Sequence, residues 1–227
     1  MNKAARLTLV AASLLTGLAT AAEKKEDLDK RLKEASDVIK EFSGAEDKGA
    51  PKDLLKKAKC VVVIPSMKKG GFIIAGQYGR GFASCKGPAG KYNNISAMRM
   101  EGGSVGFQAG GSSTDILLLV MNEKGAERLW GSKFTLGGEA AVAAGPVGRE
   151  ATAQTDATMK AEILSYSRSQ GVFGGIALKG STLRPDEDVN EILYGKKTEP
   201  KAILADHSVP PPAPTQPFLI EVNKFTM

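Results

Sequence analysis

Cys60-Val61-Val62-Val63-Ile64-Pro65 is a run of apolar, mostly β-branched residues closed by a proline. That is the composition of a strand that stops where the backbone loses a hydrogen-bond donor. Within Asp115–Met121, Ile116-Leu117-Leu118-Leu119-Val120 sets five apolar side chains in a row. A half-exposed strand alternates, so this one reads as buried on both faces of a sheet. Around these two, Gly71–Ala83 alternates bulky and glycine positions, and further strands are expected at Asn94–Met100, Ser104–Ala109, Glu162–Arg168 and, broken by glycine, Val172–Leu178. Upstream, Leu28, Leu32, Ala35, Ile39 and Phe42 step by four, three, four and three within Glu23–Phe42, the spacing of one amphipathic helix. Pro51 opens a second, short one over Lys52–Ala58, Glu123–Trp130 reads as another, and Pro185-Asp186-Glu187-Asp188 starts one whose acids suit a helix N-terminus. The expected fold is α+β: a single domain with a twisted, largely antiparallel, glycine-rich sheet packed with N-terminal and C-terminal helices.

The 227 residues are 42% hydrophobic and 25% charged, which fits one globular domain and excludes a polytopic membrane protein or wholesale disorder. A domain of this size buries roughly 70% of its unfolded surface and needs no metal or disulfide framework. The single histidine removes most routes to general-base catalysis or a His-ligated metal. Lys3 and Arg6, the apolar run Leu7–Ala19 and Ala19-Thr20-Ala21 have the form of a secretory signal peptide over residues 1–21. A periplasmic or secreted product is therefore expected, with a domain over 22–195 and a proline-rich tail over 196–227. Five prolines between Pro210 and Pro217 predict an exposed, polyproline-like stretch, and Phe218–Phe225 is apolar enough to dock. In an oxidising compartment Cys60 and Cys85, each in or beside a predicted strand, either pair or remain two small buried hydrophobes.

Motifs with catalytic or metal connotations fail on context. Gly102-Gly103-Ser104-Val105-Gly106 satisfies the G-x-S-x-G elbow of hydrolases, but no good helix former follows and the only histidine, His207, lies in the tail. Gly102, Gly106 and Gly110 have glycine-zipper spacing without the apolar helix that a zipper needs. Gly79-Arg80-Gly81 lacks the third glycine of a dinucleotide loop. Asp186, Asp188 and Asn190 lack the glycine of a calcium loop. No enzyme activity, cofactor or metal is expected.

Charge is more informative. Residues 48–91 hold ten basic residues against the single acid Asp53, a net of +9, whereas the remainder beyond the signal peptide is acidic. Concentrated positive charge beside an amphipathic helix suits an anionic membrane surface, each nearby Lys or Arg contributing on the order of 1 kcal/mol. The candidate headgroup ligands are Lys52, Lys56, Lys57, Lys68, Lys69 and Arg80. Leu28, Leu32, Ile39 and Phe42 are a weaker candidate for a membrane-facing helix stripe, since such a stripe more often packs on its own sheet. Nucleic acid is disfavoured by the sparse aromatics among the basic residues.

Several blocks then carry a family resemblance. Asp53-Leu54-Leu55-Lys56-Lys57-Ala58-Lys59 running into Val61-Val62-Val63-Ile64-Pro65-Ser66, then Gly76-Gln77-Tyr78-Gly79-Arg80-Gly81, Gly103-Ser104-Val105-Gly106-Phe107, Thr114-Asp115-Ile116-Leu117-Leu118-Leu119-Val120, Gly145-Pro146-Val147-Gly148-Arg149, Tyr166-Ser167-Arg168-Ser169-Gln170-Gly171 and Asn190-Glu191-Ile192-Leu193-Tyr194-Gly195 occur in this order. Over about residues 27–195 the chain resembles the SYLF lipid-binding family, as a bacterial exported member. The resemblance implies a non-enzymatic domain that binds membrane lipid; relatives bind phosphoinositides and some bind actin filaments. For an exported protein, anionic phospholipids such as phosphatidylglycerol or cardiolipin, or lipid A phosphates, take that place. Where the family has Trp-Ser-x-Pro, this sequence has Lys91-Tyr92-Asn93-Asn94-Ile95-Ser96-Ala97-Met98, and Cys60 stands at a common glycine position, which fits a lineage-specific disulfide with Cys85. The alternative function is an envelope structural or interaction protein that recruits a protein partner through Pro210–Pro217.

Overall fold

The computed structural model describes residues 25–44, 50, 52–71, 74–105, 112–147, 160–169 and 171–226. Residues 1–21, read above as a signal peptide, and Gly106–Gly110 lie outside the described residues. A helix α1 spans residues 25–44 and a short α2 spans Lys52–Lys57. The sheet follows: β1 (Cys60–Gly71), β2 (Ile74–Cys85), β3 (Ser96–Val105), β4 (Ser112–Val120), β5 (Phe134–Thr135), β6 (Val142–Ala144), β7 (Ile163–Ser169), β8 (Val172–Gly175) and β9 (Thr182–Pro185). Helix α3 (Glu123–Leu129) connects β4 to β5, and α4 (Glu187–Tyr194), α5 (Pro200–Leu204) and α6 (Gln216–Asn223) come after β9. The strand order is β5-β9-β3-β2-β1-β4-β7-β6, with β8 also on β7. All pairings are antiparallel except β6 with β7.

The two apolar runs form the middle of this sheet. β1 lies between β2 and β4, and Val61–Ile64 and Ile116–Val120 are entirely buried. Successive side chains point to opposite faces, so each strand feeds two cores. Val61, Val63, Leu117 and Leu119 meet α1, α2, α4 and α6, whereas Val62, Ile64, Ile116, Leu118 and Val120 meet α3, α5 and the loops around Leu136 and Leu178. A sheet covered on both faces explains why neither run alternates.

β1 carries one extra residue relative to both neighbours, between Val63 and Lys68 against β2 and between Ile64 and Met67 against β4. Ser66, at φ 49°, is the site of this bulge. Its N–H leaves the ladder and donates to Asp115 Oδ1 at 2.8 Å. The other oxygen of Asp115 accepts from Arg168 at 2.6 and 3.0 Å, and Arg168 also contacts Glu41 of α1. One carboxylate thus satisfies the bulge and ties the first helix to the sheet. Opposite the bulge, a Cβ on Gly81 would overlap the Val63 carbonyl, so only glycine permits this approach of β2.

Three expectations need correction. The stripe Leu28, Leu32, Ile39 and Phe42 is at most 4% exposed, with the Phe42 ring edge-on to Tyr166 and Phe173. It belongs to the core of this fold and presents no membrane face, because the sheet beneath offers a larger apolar partner than any one helix could leave uncovered. The segment from 196 is not a free linker: Ile203, Leu204, Phe218, Leu219, Val222 and Phe225 are buried, while Pro210, Pro214 and Pro217 are exposed as expected. Prolines do not prevent this, since α5 and α6 each carry theirs in the first turn, where no N–H is needed. Phe218–Phe225 does dock, on the α1 face. Finally, Ser104 belongs to β3 rather than to a separate strand.

A candidate anionic-surface site around helix α2

The six basic residues named from sequence do not converge. Lys56 and Lys57 close α2 beside the start of β1, whereas Lys68 and Lys69 lie towards its other end. At about 3.3 Å per residue, roughly 25 Å of strand separates the two groups. Lys68 reaches Ser113 Oγ at 3.5 Å and Lys69 stands opposite Gln77 and Ser112.

Arg80 belongs to a third environment. On the sheet face, Arg80 Nε and Arg99 Nη2 each lie 3.0 Å from the Asp186 carboxylate, which is 1% exposed. Arg99 makes a hydrogen bond there, while Arg80 is an ion contact too misaligned for one. The hydrogen bond to Asp186 raises Arg99 above its ordinary pKa, against the opposing effect of burial. Arg80 also lies 5.9 Å from the Tyr78 ring centroid. This arginine ties β2 to the entry of α4 and is 35% exposed, sharing one carboxylate with Arg99, so it is committed to a structural ion pair away from the α2 lysines.

Around α2 the sequence brings further lysines together. Lys59 follows the helix, and Lys86 and Lys91 flank the turn after β2, where Gly87 N–H donates to Lys91 O at 2.9 Å. Lys86 Nζ donates to Lys56 O at 2.6 Å and lies 5.4 Å from the Tyr92 ring centroid. Lys224 joins from the turn after α6, next to Lys52 and Lys56. Lys59 is paired with Glu123 and Lys224 with Glu221, each at 2.7 Å. Lys56, Lys57, Lys86 and Lys91 have no carboxylate partner among the described residues. Partial burial, with the nearby Lys59 charge, lowers the Lys86 pKa. An ammonium so placed is stabilised by an incoming anion.

Three devices hold these cations together. Cys60 and Cys85, directly opposite in register, are joined by a disulfide, which fixes the strand ends next to Lys59 and Lys86. Tyr92 donates its hydroxyl to Ala58 O at 3.3 Å, anchoring the turn to the end of α2. Asn223 of α6 accepts from Tyr92 N–H at 3.0 Å and donates to Tyr92 O at 2.8 Å. Lys59, Lys86 and Lys91 sit in the +9 window and could have been named from it; Tyr92 and Asn223, 131 positions apart, carried no local signal.

Ser104 is the penultimate residue of β3, its backbone in register with Ala75, and the residues after Val105 that a strand-to-helix elbow would need lie outside the described residues. No group of three His, Cys, Asp or Glu among the described residues could hold a metal. No helix among them is long and apolar enough to cross a membrane.

The family model described as Ysc84, Las17-binding protein actin regulator, matches residues 101–225. SH3 domain-containing YSC84-like protein 1 of Rattus norvegicus is 30% identical over 206 residues, covering 88% of this chain and 60% of that protein. LAS seventeen-binding protein 3 of Saccharomyces cerevisiae (strain YJM789) is 35% identical over 172 residues, 74% of this chain and 37% of its own length. Protein YSC84 of Saccharomyces cerevisiae (strain ATCC 204508 / S288c) is 32% identical over 197 residues, 82% of this chain and 41% of its own length. The chain thus spans between about a third and three fifths of these relatives. The region matched by the family model begins within β3 and runs through β4 and the docked C-terminal helices, more than half of the chain, and the chain belongs to the Ysc84 (SYLF) family.

Proposed function

We propose that the chain is a non-enzymatic binding domain that recognises anionic phospholipid headgroups through the end of the molecule built on α2. The observation that carries this reading is the set Lys56, Lys57, Lys86 and Lys91, held together by the disulfide and Tyr92 without carboxylate partners among the described residues. Lysines near an anionic surface contribute about 1 kcal/mol each, so four give roughly 4 kcal/mol, enough for reversible adsorption. Lys68 and Lys69 form a separate, smaller basic site. An exported, envelope location fits the signal-like N-terminal sequence and a cross-strand disulfide, which persists in oxidising compartments.

The test is co-sedimentation of the full chain with vesicles of phosphatidylcholine alone or with added phosphatidylglycerol, over a range of salt. Binding should require the anionic lipid and weaken as salt shortens the screening length; equal binding to neutral vesicles contradicts the reading. A protein-partner reading is favoured by the relatives' printed names, which describe Las17 binding. For it, the extended proline stretch is short: Pro212 has polyproline angles, φ −60° and ψ 143°, but Ala213–Thr215 already turns into α6.

A further inference from the structure

We propose that the cleft between α2 and the C-terminal turn takes up the alkyl chain of an anionic lipid, the phosphate then lying among the lysines at its mouth. This rests on the lipid-binding reading above and goes beyond it, since surface adsorption requires no cavity. The cleft has a volume of about 430 Å³ and is lined by Ser43, Lys52, Leu55, Lys56, Lys224 and Phe225. That volume falls in the range of small-molecule sites. Its wall is made by Leu55 and Phe225, each 3% exposed, while Lys52, Lys56 and Lys224 are exposed at the rim. An apolar wall with a cationic rim matches the two halves of an anionic amphiphile and neither half alone. Lys224 is held by Glu221 at 2.7 Å, a half-exposed pair that a phosphate can displace because exposed pairs are weak. The larger cleft, about 790 Å³ between α1 and the α6 region, is walled by Lys25, Asp29, Lys33 and Asp37; mixed charge there selects no sign of ligand.

The experiment is calorimetric titration of the full chain with hexyl, octyl and decyl phosphate, each below its micelle concentration, with decyl glucoside and inorganic phosphate as controls. Each buried methylene is worth about 0.8 kcal/mol, so two added methylenes should tighten binding about tenfold. Decyl glucoside and inorganic phosphate should each bind far more weakly than decyl phosphate. Ser43→Leu fills the cleft from its edge while leaving Leu55, Phe225 and every lysine in place; with an unchanged unfolding midpoint it should lose about tenfold for decyl phosphate and keep its adsorption to anionic vesicles. Equal affinity at all chain lengths, equal binding of decyl glucoside, or a Ser43→Leu chain that binds decyl phosphate like the parent overturns the cleft and leaves surface adsorption standing. Failure to prefer anionic vesicles overturns the underlying reading instead.

Discussion

Two groups of cations lie on this molecule, and the fold uses them in opposite ways. Arg80 and Arg99 converge on the buried Asp186 and lock β2 and β3 to the entry of α4. Lys56 and Lys57 on α2 and Lys86 and Lys91 on the turn after β2 lie on neighbouring elements, with a disulfide and a buried tyrosine supplying the constraint that carboxylates supply elsewhere. The first group shares a buried carboxylate, and the second has no carboxylate partner among the described residues. Positive charge in a sequence window therefore does not identify a binding surface until the carboxylates facing it are known.

If that contrast is correct, the two groups respond differently to substitution. Asp186→Ala removes the buried carboxylate that Arg80 and Arg99 share, leaving Arg99 with Glu101 at 3.7 Å; because both guanidiniums reach solvent, the cost is at the lower end of that for a buried pair, about 3 kcal/mol. Urea unfolding should show this as a lowered midpoint, while the preference of any remaining folded protein for anionic vesicles persists. Replacing both cysteines, Cys60→Ser with Cys85→Ser, removes a bridge of sequence separation 25, for which loop closure predicts about 3 kcal/mol of lost stability. Here vesicle affinity should also fall in the protein that remains folded, because the strand ends beside Lys59 and Lys86 are no longer clamped together. Neutralising Lys56→Gln with Lys57→Gln should leave stability within about 0.5 kcal/mol, as for other surface changes, and weaken vesicle binding by about 2 kcal/mol, roughly thirtyfold.

A smaller effect sharpens the contrast through pH. Burial tends to raise the Glu162 carboxyl, but hydrogen bonds from Lys124 and Arg128 outweigh it and hold the group below its ordinary pKa. A depressed folded pKa contributes stability that is present above the unfolded value and lost as pH falls through the folded one. Stability measured by chemical denaturation across acid pH should therefore decline more steeply in the parent than in Glu162→Gln.

Much of the sheet was legible in the sequence because its centre is extreme: Val61–Ile64 and Ile116–Val120 are too uniformly apolar to be half exposed. The short strands β5, β6 and β9 were not, since two to four residues carry no periodicity. The bulge at Ser66 was invisible for another reason; it depends on a carboxylate 49 positions away. In the C-terminal segment the prolines masked a readable signal, because Phe218, Leu219, Val222 and Phe225 have helical spacing. Of the proposed site, Lys52, Lys56 and Lys57 are the residues that charge density in the sequence also points to. The removal of Arg80 and the separation of Lys68 and Lys69 follow from strand register and from Asp186, both long-range properties.

The central claim is that the α2 end, rather than the basic window as a whole, meets the anionic surface. Its most direct test compares two double variants, Lys56→Gln with Lys57→Gln and Lys68→Gln with Lys69→Gln, by co-sedimentation with vesicles containing phosphatidylglycerol at fixed salt. The account predicts a loss of roughly thirtyfold for the first pair and a much smaller one for the second. Equal losses, or a larger loss at Lys68 and Lys69, would contradict it.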